Sequence, residues 1–339
     1  MPLQTLDFAK FTHGSEVQKK GLARDLVRSL KNHGFAKFIN YGISEEMTAD
    51  MFKSKSSELF ALSFEEKVAM ANLPRDAPQR GWSRQGAETT AYLRPERLKE
   101  GTALDLKDEK EHFDCSAPDD TEYPNLWPRE NALPGFREFM ERFFDLCQHV
   151  SLQIIEAMEI GLDFPHGSLG DKCADTASEL RLNHYPAVPL SQLLGGGSKR
   201  GWPHIDFGII TLVFQDHVGG LEMEDRSDLG TFVPVPPNAP GSHSELAVNI
   251  SETFQRWAND QIPAGVHQVA PPENMRGMPG DSIVPERYTH IFFFKASRST
   301  NVGPLPEFID EKHPPKYEDM TALQLQRNRT AFLHSLHQK

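Results

Sequence analysis

The chain has 339 residues, 38% of them hydrophobic, and a formal net charge of −12, which suits one large or two small domains with a buried core. An acidic chain without a basic stretch is not expected to bind nucleic acid. The sequence has no apolar run of about 18 residues, so no membrane span is predicted, and no signal-peptide pattern that would predict secretion. The scattered Cys115, Cys147 and Cys173 predict no disulfide framework and favour the reducing cytoplasm.

The first predicted elements are two helices separated by a strand. Apolar spacing over residues 15–33 predicts an amphipathic helix that ends at Gly34, and residues 35–39 then form a strand. Ser44 is followed by two glutamates, which favour a helix start because acidic side chains stabilise the positive N-terminal end. We therefore predict a second helix over residues 45–61.

After a short helix over residues 63–71, the pattern changes from helical to extended. Residues 72–128 are rich in charge and proline, which predicts an irregular segment that shapes a substrate site. A long helix is predicted over residues 134–161, strands from about 180 to 296, and a closing helix over 320–337. Helices followed by antiparallel strands predict a mixed α+β protein with a double-stranded β-helix, or jelly-roll, core.

Two histidines and one aspartate form a candidate metal site. His204 and Asp206 are two residues apart, so on a strand their side chains share one face, and His267 can join them from a neighbouring strand. The apolar run 209–214 predicts a buried strand, and Gly219-Gly220 predicts a hairpin turn into a return strand. Two imidazoles and one carboxylate bind one face of Fe(II) and leave positions open for O2.

Four segments carry a resemblance to a known family: RLNHYPAV (181–188), HIDFGIITLVFQDHVGGLEM (204–223), VNISETFQRWANDQIPAGVHQV (248–269) and RYTHIFFF (287–294). The chain resembles 2-oxoglutarate/Fe(II)-dependent dioxygenases of the isopenicillin N synthase-like superfamily, in particular fungal members that tailor secondary metabolites. Weaker matches in the first half extend the likeness over nearly the whole chain. We predict an N-terminal helical and strand region over 1–130 and a jelly-roll core with a C-terminal helix over 131–339, forming one structural unit.

The resemblance implies that His204, Asp206 and His267 are the metal ligands. The family's third segment ends in His-x-Val, which His267 fits without a gap, whereas an ordinary surface or packed position is expected for three other histidines: His217, His243 and His290. Asn259-Asp260 predicts a turn between two strands in that segment.

Residues on two strands are implied as the co-substrate site. Arg287 and Thr289 share a strand face where the family has Arg-x-Ser, and a guanidinium with a hydroxyl suits the distal carboxylate of 2-oxoglutarate. Tyr185 matches the family position that contacts the co-substrate, and Asn183 shares its strand face, with sheet packing as the alternative role. Arg276, in the loop after the third segment, is a rival for Arg287.

The resemblance implies that the N-terminal half, the variable loops and the C-terminal helix contact the substrate. The candidates are Arg80, Trp82, Arg84, Tyr92, Arg94 and Phe294. Long Gly/Pro-rich loops resemble insertions in fungal members, which favours a small natural product: a polyketide, an alkaloid or an amino-acid-derived compound.

The resemblance implies that Fe(II), 2-oxoglutarate and O2 together oxidise an unactivated C–H bond and release succinate and CO2. Hydroxylation is the expected outcome, and desaturation, ring closure or ring expansion are alternatives. An Fe(II) oxidase of the isopenicillin N synthase type that needs no 2-oxoglutarate and a non-catalytic jelly-roll binding protein remain open. We expect a cytoplasmic monomer or weak homodimer whose partner is a small molecule, without nucleic-acid or membrane partners.

Overall fold

The computed structural model describes residues 3–72, 78–94, 106–175, 177–237 and 244–334. The helices are Ala9–Thr12 (α1), Glu16–His33 (α2), Glu45–Asp50 (α3), Ser57–Ala61 (α4), Phe64–Ala69 (α5), Phe136–Gly161 (α6), Leu190–Leu194 (α7), Glu252–Trp257 (α8) and Ala322–His334 (α9). The strands are Thr5–Asp7 (β1), Phe35–Ile39 (β2), Gly81–Ser83 (β3), Lys107–Asp108 (β4), Glu111–Ser116 (β5), Glu179–Tyr185 (β6), Val188–Pro189 (β7), Ser198–Lys199 (β8), Gly201–His204 (β9), Ile210–Gln215 (β10), Leu221–Glu224 (β11), Phe232–Pro234 (β12), Leu246–Ile250 (β13), His267–Val269 (β14), Ile283–Val284 (β15) and Arg287–Phe294 (β16).

The helices of the first half begin and end close to the predicted positions. Ser15 and Gln18 form a capping box at the start of α2, and Gly34 ends this helix in the left-handed conformation with φ 72°. The predicted helix over 45–61 is interrupted by a π-helical turn at Met51–Ser56 that separates α3 from α4. Within the described residues, no helix combines the length and apolar character needed to cross a membrane.

The larger sheet has the strand order β1-β2-β13-β10-β16-β6-β5-β3, so both halves of the chain contribute to it. Its pairings are antiparallel except for β1 with β2. The prediction that residues 72–128 are irregular is wrong for β5, which pairs with β6 along its whole length. The period of two is present in EHFDCS, where the apolar Phe113 and Cys115 alternate with His112, Asp114 and Ser116, so the sequence did contain a signal for this strand.

Side chains alternate between the two faces of the larger sheet. Leu180, Leu182, Phe292 and Phe294 lie in the main hydrophobic core together with residues of α2 and α6. The intervening residues of β6 and β16 line a cavity between this sheet and a smaller one, whose strand order is β12-β11-β14-β9. These two sheets with helices against the outer face form the predicted jelly-roll architecture.

Two local predictions about the second half are corrected by the strand pairing. Gly219 and Gly220 do adopt positive φ angles, but they join β10 of the larger sheet to β11 of the smaller one instead of closing a hairpin. Asn259 and Asp260 form the predicted turn in the left-handed region, yet the element before it is helix α8. A turn sequence specifies its own backbone angles and not the sheet that each flanking strand joins.

Candidate metal centre and co-substrate pocket

His204, Asp206 and His267 converge at the cavity. Strands β9 and β14 are paired so that His204 lies directly opposite His267, which is how a neighbouring strand supplies the distant residue. Asp206 follows the end of β9 instead of lying within it. Each histidine Nε2 is 3.9 Å from an Asp206 carboxylate oxygen, and one ligand atom from each residue lies within 4.8 Å of the others. The spacing suits three ligands of one metal ion.

The backbone fixes the orientation of both imidazole rings. His204 Nδ1 lies 2.6 Å from the carbonyl oxygen of Trp202, and His267 Nδ1 lies 3.0 Å from that of Gly265. A carbonyl oxygen only accepts, so Nδ1 must carry the proton in each ring and Nε2 keeps its lone pair. Both lone pairs are therefore available for a metal, and the residues present fit Fe(II).

Asp206 is held as a carboxylate in this buried position. Asn249 donates its side-chain N–H to Asp206 Oδ2 at 2.9 Å. Burial acts to raise the pKa of Asp206, but the two histidines and the Asn249 amide together lower the pKa below its usual value. Burial, and then the nearby His267 ring, lower the pKa of His204, which favours the neutral form of that ring. A carboxylate and neutral imidazoles are the forms that bind metal.

The predicted co-substrate residues line the same cavity on the larger sheet. Arg287 and Tyr185 are directly paired across β16 and β6, as are Thr289 and Asn183. Asn183 donates to the Thr289 hydroxyl at 3.2 Å. Arg287 is 1% exposed, and its Nε and Nη1 have no hydrogen-bond partner in the described structure. A buried guanidinium with open donors is suited to an incoming carboxylate.

The rival residues lie elsewhere. Arg276 is half exposed and pairs with Glu222 at 2.8 Å, away from the cavity lining. His217 is exposed, as expected, and His243 lies outside the described residues. His290 is buried on the opposite face of β16 from Arg287, where its Nε2 lies 2.8 Å from the Ser56 hydroxyl.

A network of buried charges forms the far wall of the cavity, and the sequence did not predict it. Arg181 donates to Asp114 at 2.7 Å and to Glu88 at 2.8 Å, and Lys110 donates to Asp108 at 3.0 Å. Burial acts to raise the pKa of Glu88, but Arg181, His112 and Lys110 together hold it well below its usual value. In contrast, burial raises the pKa of Asp114 to about 6.

The same wall extends to the C-terminal helix. Lys295 donates to Glu179, and Gln326 of α9 donates to the same carboxylate at 3.0 Å. Gln326 and Thr330 line the cavity, so α9 covers one side of it. Strand alternation from Asn183 and Tyr185 could have revealed Arg181, whereas no local pattern marks Glu88 or the α9 residues.

Most of the predicted substrate residues lie away from this cavity. Arg80 is fully buried and pairs with Asp120 and Glu179, both at 2.9 Å. Trp82 donates to Glu111 at 2.7 Å, and Arg84 is exposed. The prediction for Phe294 is wrong because its side chain packs in the core, whereas the preceding Phe293 lines the cavity.

The remaining two candidates, Tyr92 and Arg94, flank Leu93, which lines the cavity. Tyr92 packs against Ala91, Leu106 and Trp202. Arg94 lines an adjoining pocket with Phe207 and residues of the C-terminal part of the chain. Neither side chain lines the main cavity.

A jelly roll that presents two histidines, one aspartate and an open arginine to one cavity defines a non-haem iron oxygenase that uses a 2-oxo acid. Residues 177–296 match the 2OG-Fe(II) oxygenase superfamily, and residues 3–130 match the family described as non-haem dioxygenase in morphine synthesis, N-terminal. The chain is 42% identical over 337 residues to the 2-oxoglutarate-dependent dioxygenase phqC of Penicillium fellutanum, covering 96% of this chain and 93% of that protein. The chain belongs to the family of 2-oxoglutarate/Fe(II)-dependent dioxygenases.

Solved structures agree with this assignment. A full-length Neurospora crassa protein, crystallised in complex with alpha-KG, superposes with a TM-score of 0.83 at 27% identity, covering 97% of this chain and 96% of that one. The complex of the same protein with alpha-KG and thymine gives a TM-score of 0.84 at 26% identity, with the same coverage. The family, its jelly-roll fold and its cofactors, Fe(II) and 2-oxoglutarate, therefore agree with the resemblance seen in the sequence.

Proposed function

We propose that His204, Asp206 and His267 hold Fe(II), and that Arg287 and Thr289 bind the distal carboxylate of 2-oxoglutarate beside it. The observation that carries this proposal is that all these residues, together with Tyr185 and Asn183, line one cavity. Bound iron with 2-oxoglutarate and O2 supplies the oxidant for a substrate C–H bond and leaves succinate and CO2.

The protein's own residues prepare this chemistry by orientation and desolvation. The backbone carbonyls of Trp202 and Gly265 hold the Nε2 lone pairs of the two ligand histidines toward one point. The Nε and Nη1 donors of Arg287 have no other partner in the described structure, so they can hold one carboxylate of 2-oxoglutarate. The other end of the co-substrate is then held at a set distance from His204, Asp206 and His267. Apolar residues exclude water from the remaining walls: Leu93, Val213, Leu221, Val269, Ile291 and Phe293.

We infer that the substrate is a small natural product with polar groups, held between these apolar residues and the charged wall. Arg181, Glu88, Lys110, Glu179 and Lys295 bring hydrogen-bonding groups to the cavity, which favours an amino-acid-derived or alkaloid substrate over a wholly apolar one. The thymine bound to the Neurospora crassa relative is likewise a small polar heterocycle. Hydroxylation is the proposed outcome, with desaturation, ring closure or ring expansion as alternatives.

The proposed ligands are tested by anaerobic addition of Fe(II) and 2-oxoglutarate to the purified protein. The wild type is expected to give a metal-to-ligand charge-transfer band, and His204→Ala, Asp206→Ala and His267→Ala are expected to lose it. His217→Ala is the matched control because His217 is an exposed histidine of the same region. A full band from His267→Ala would contradict the assignment of the third ligand.

The class of reaction is tested by product analysis with a panel of amino-acid-derived and alkaloid metabolites. Succinate formed in proportion to substrate turnover is expected, whereas an oxidase of the isopenicillin N synthase type would form none. A protein that gives neither the metal-to-ligand charge-transfer band nor turnover of any substrate in the panel would favour a non-catalytic binding protein. We also propose that residues 1–130 and 131–339 act as one structural unit, in a cytoplasmic monomer or weak homodimer.

A further inference from the structure

A second buried arginine lies at the co-substrate end of the cavity. Arg200 immediately precedes β9 and is 1% exposed. Its Nη2 donates to the backbone carbonyl oxygens of Pro186, at 3.2 Å, and Pro285. Its Nε and Nη1 have no hydrogen-bond partner in the described part of the chain. A buried cation with unused donors is costly unless something else interacts with its charge.

Arg200 and Arg287 share both their surroundings and their lack of an anionic partner. The two guanidinium groups lie 5.9 Å and 5.0 Å from the ring centre of Tyr185, a residue that lines the cavity. Among the described residues, neither arginine makes an ion pair with a carboxylate. The Asp216 carboxylate accepts from the backbone N–H groups of Val218 and Tyr288, and its charge acts to raise the pKa of Arg200 without an ion pair between them.

Arg200 is charged at neutral pH. Burial and the neighbouring Arg287 lower the pKa of Arg200 to about 10, which still leaves the guanidinium protonated. The described structure therefore places two like charges beside one aromatic ring without a neutralising carboxylate. An anionic ligand that binds here relieves both the desolvation and the mutual repulsion of the two arginines.

We propose that Arg200 supplies a second positive charge for the distal carboxylate of the co-substrate, a proposal that rests on the proposed function. Arg200 lies behind Tyr185 and Gly201, which line the cavity, so it acts through its field and by supporting Tyr185. The consequence is a preference for 2-oxo acids with two carboxylates over those with one.

The test compares 2-oxoglutarate with 2-oxopentanoate, which has the same carbon chain but lacks the distal carboxylate. Binding of each to the Fe(II)-loaded protein is titrated anaerobically by the charge-transfer band, and the ratio of the two dissociation constants is the preference. Arg200→Gln keeps a donor for the carbonyls and removes the charge, and it is expected to reduce the preference about tenfold. Arg200→Lys keeps the charge and is expected to stay within about threefold of the wild type.

Arg226→Gln is the matched control. Arg226 also donates to backbone carbonyls and has its pKa lowered to about 10 by burial. Unlike Arg200, which packs on Tyr185, it donates to residues that do not line the cavity: Leu30, Lys31, Pro263 and Ala264. Its substitution is expected to leave the preference unchanged. The proposal on Arg200 is overturned if Arg200→Gln weakens the binding of 2-oxoglutarate and of 2-oxopentanoate by the same factor, or weakens the binding of neither. A wild type that shows no band with 2-oxoglutarate would overturn the proposed function itself, and this proposal with it.

Discussion

Arg80 gives the sharpest test of the structure against the sequence, because the sequence predicts substrate contact and the structure predicts a role in stability. Arg80→Met keeps most of the side-chain length and removes the charge that faces Asp120 and Glu179. Removing one partner of a buried ion pair costs about 3–5 kcal/mol. Each carboxylate keeps another cation, Arg298 or Lys295, so we expect the lower end, about 3 kcal/mol.

The free energy of unfolding is measured by urea denaturation followed by circular dichroism, for the wild type and Arg80→Met. A loss of about 3 kcal/mol corresponds to a Tm lower by roughly 4 °C in a chain of 339 residues. Arg84→Met is the control, because Arg84 is exposed and should change stability by less than about 0.5 kcal/mol. If Arg80→Met were as stable as the control and instead weakened substrate binding, the sequence prediction would stand and the structural reasoning would be refuted.

Three further predictions concern the metal centre, the charged wall and the last core strand. Asn249→Ala should lower Fe(II) affinity about 10–100-fold, measured by anaerobic competition with a chelating dye, because Asp206 loses its orienting donor; unchanged affinity would contradict this. Burial acts to raise the pKa of Glu179, but Lys295 and Arg80 lower it to about 2, below the unfolded value of 4.5. The stability that wild type gains over Glu179→Gln should therefore be complete above pH 4.5 and decline as the pH falls toward 2 in urea titrations; a pH-independent difference would be inconsistent with that linkage. Phe294→Ala should cost about 3–5 kcal/mol, whereas Phe293→Ala should cost less and alter the yield of oxidised product per succinate; the reverse order of stability would mean that the two faces of the strand are misassigned.

The grouping of the proposed co-substrate residues follows from strand periodicity, whereas Asp206 joins His204 from just beyond the end of β9. Arg287 and Thr289 share one face of β16, and Asn183 and Tyr185 share one face of β6, so sequence spacing alone indicates which side chains meet. The family segment that ends at His267 indicated this residue as the third ligand, and the pairing of β14 with β9 explains how it comes to lie opposite His204.

The substrate side of the cavity was not predictable in the same way. Glu88 and Gln79 lie outside regular strands, and their positions depend on contacts with Arg181 that join distant parts of the chain. Long-range contacts of this kind leave no periodic signal in the local sequence. Phe294 is different, because strand alternation from Arg287 and Thr289 already puts Phe293, and not Phe294, on the cavity face of β16.

The backbone hydrogen bonds at the metal centre divide it into a fixed part and an adjustable part. Main-chain carbonyls set both imidazole rings, so side-chain substitutions at Trp202 or nearby cannot remove these acceptors without moving the backbone. Gly265 cannot be replaced without a steric clash, because an added Cβ would lie 2.6 Å from the Phe35 ring. Asp206 instead depends on the Asn249 side chain, which makes Asn249 the position at which an engineer could tune the basicity of the ligand set while both imidazoles stay in place.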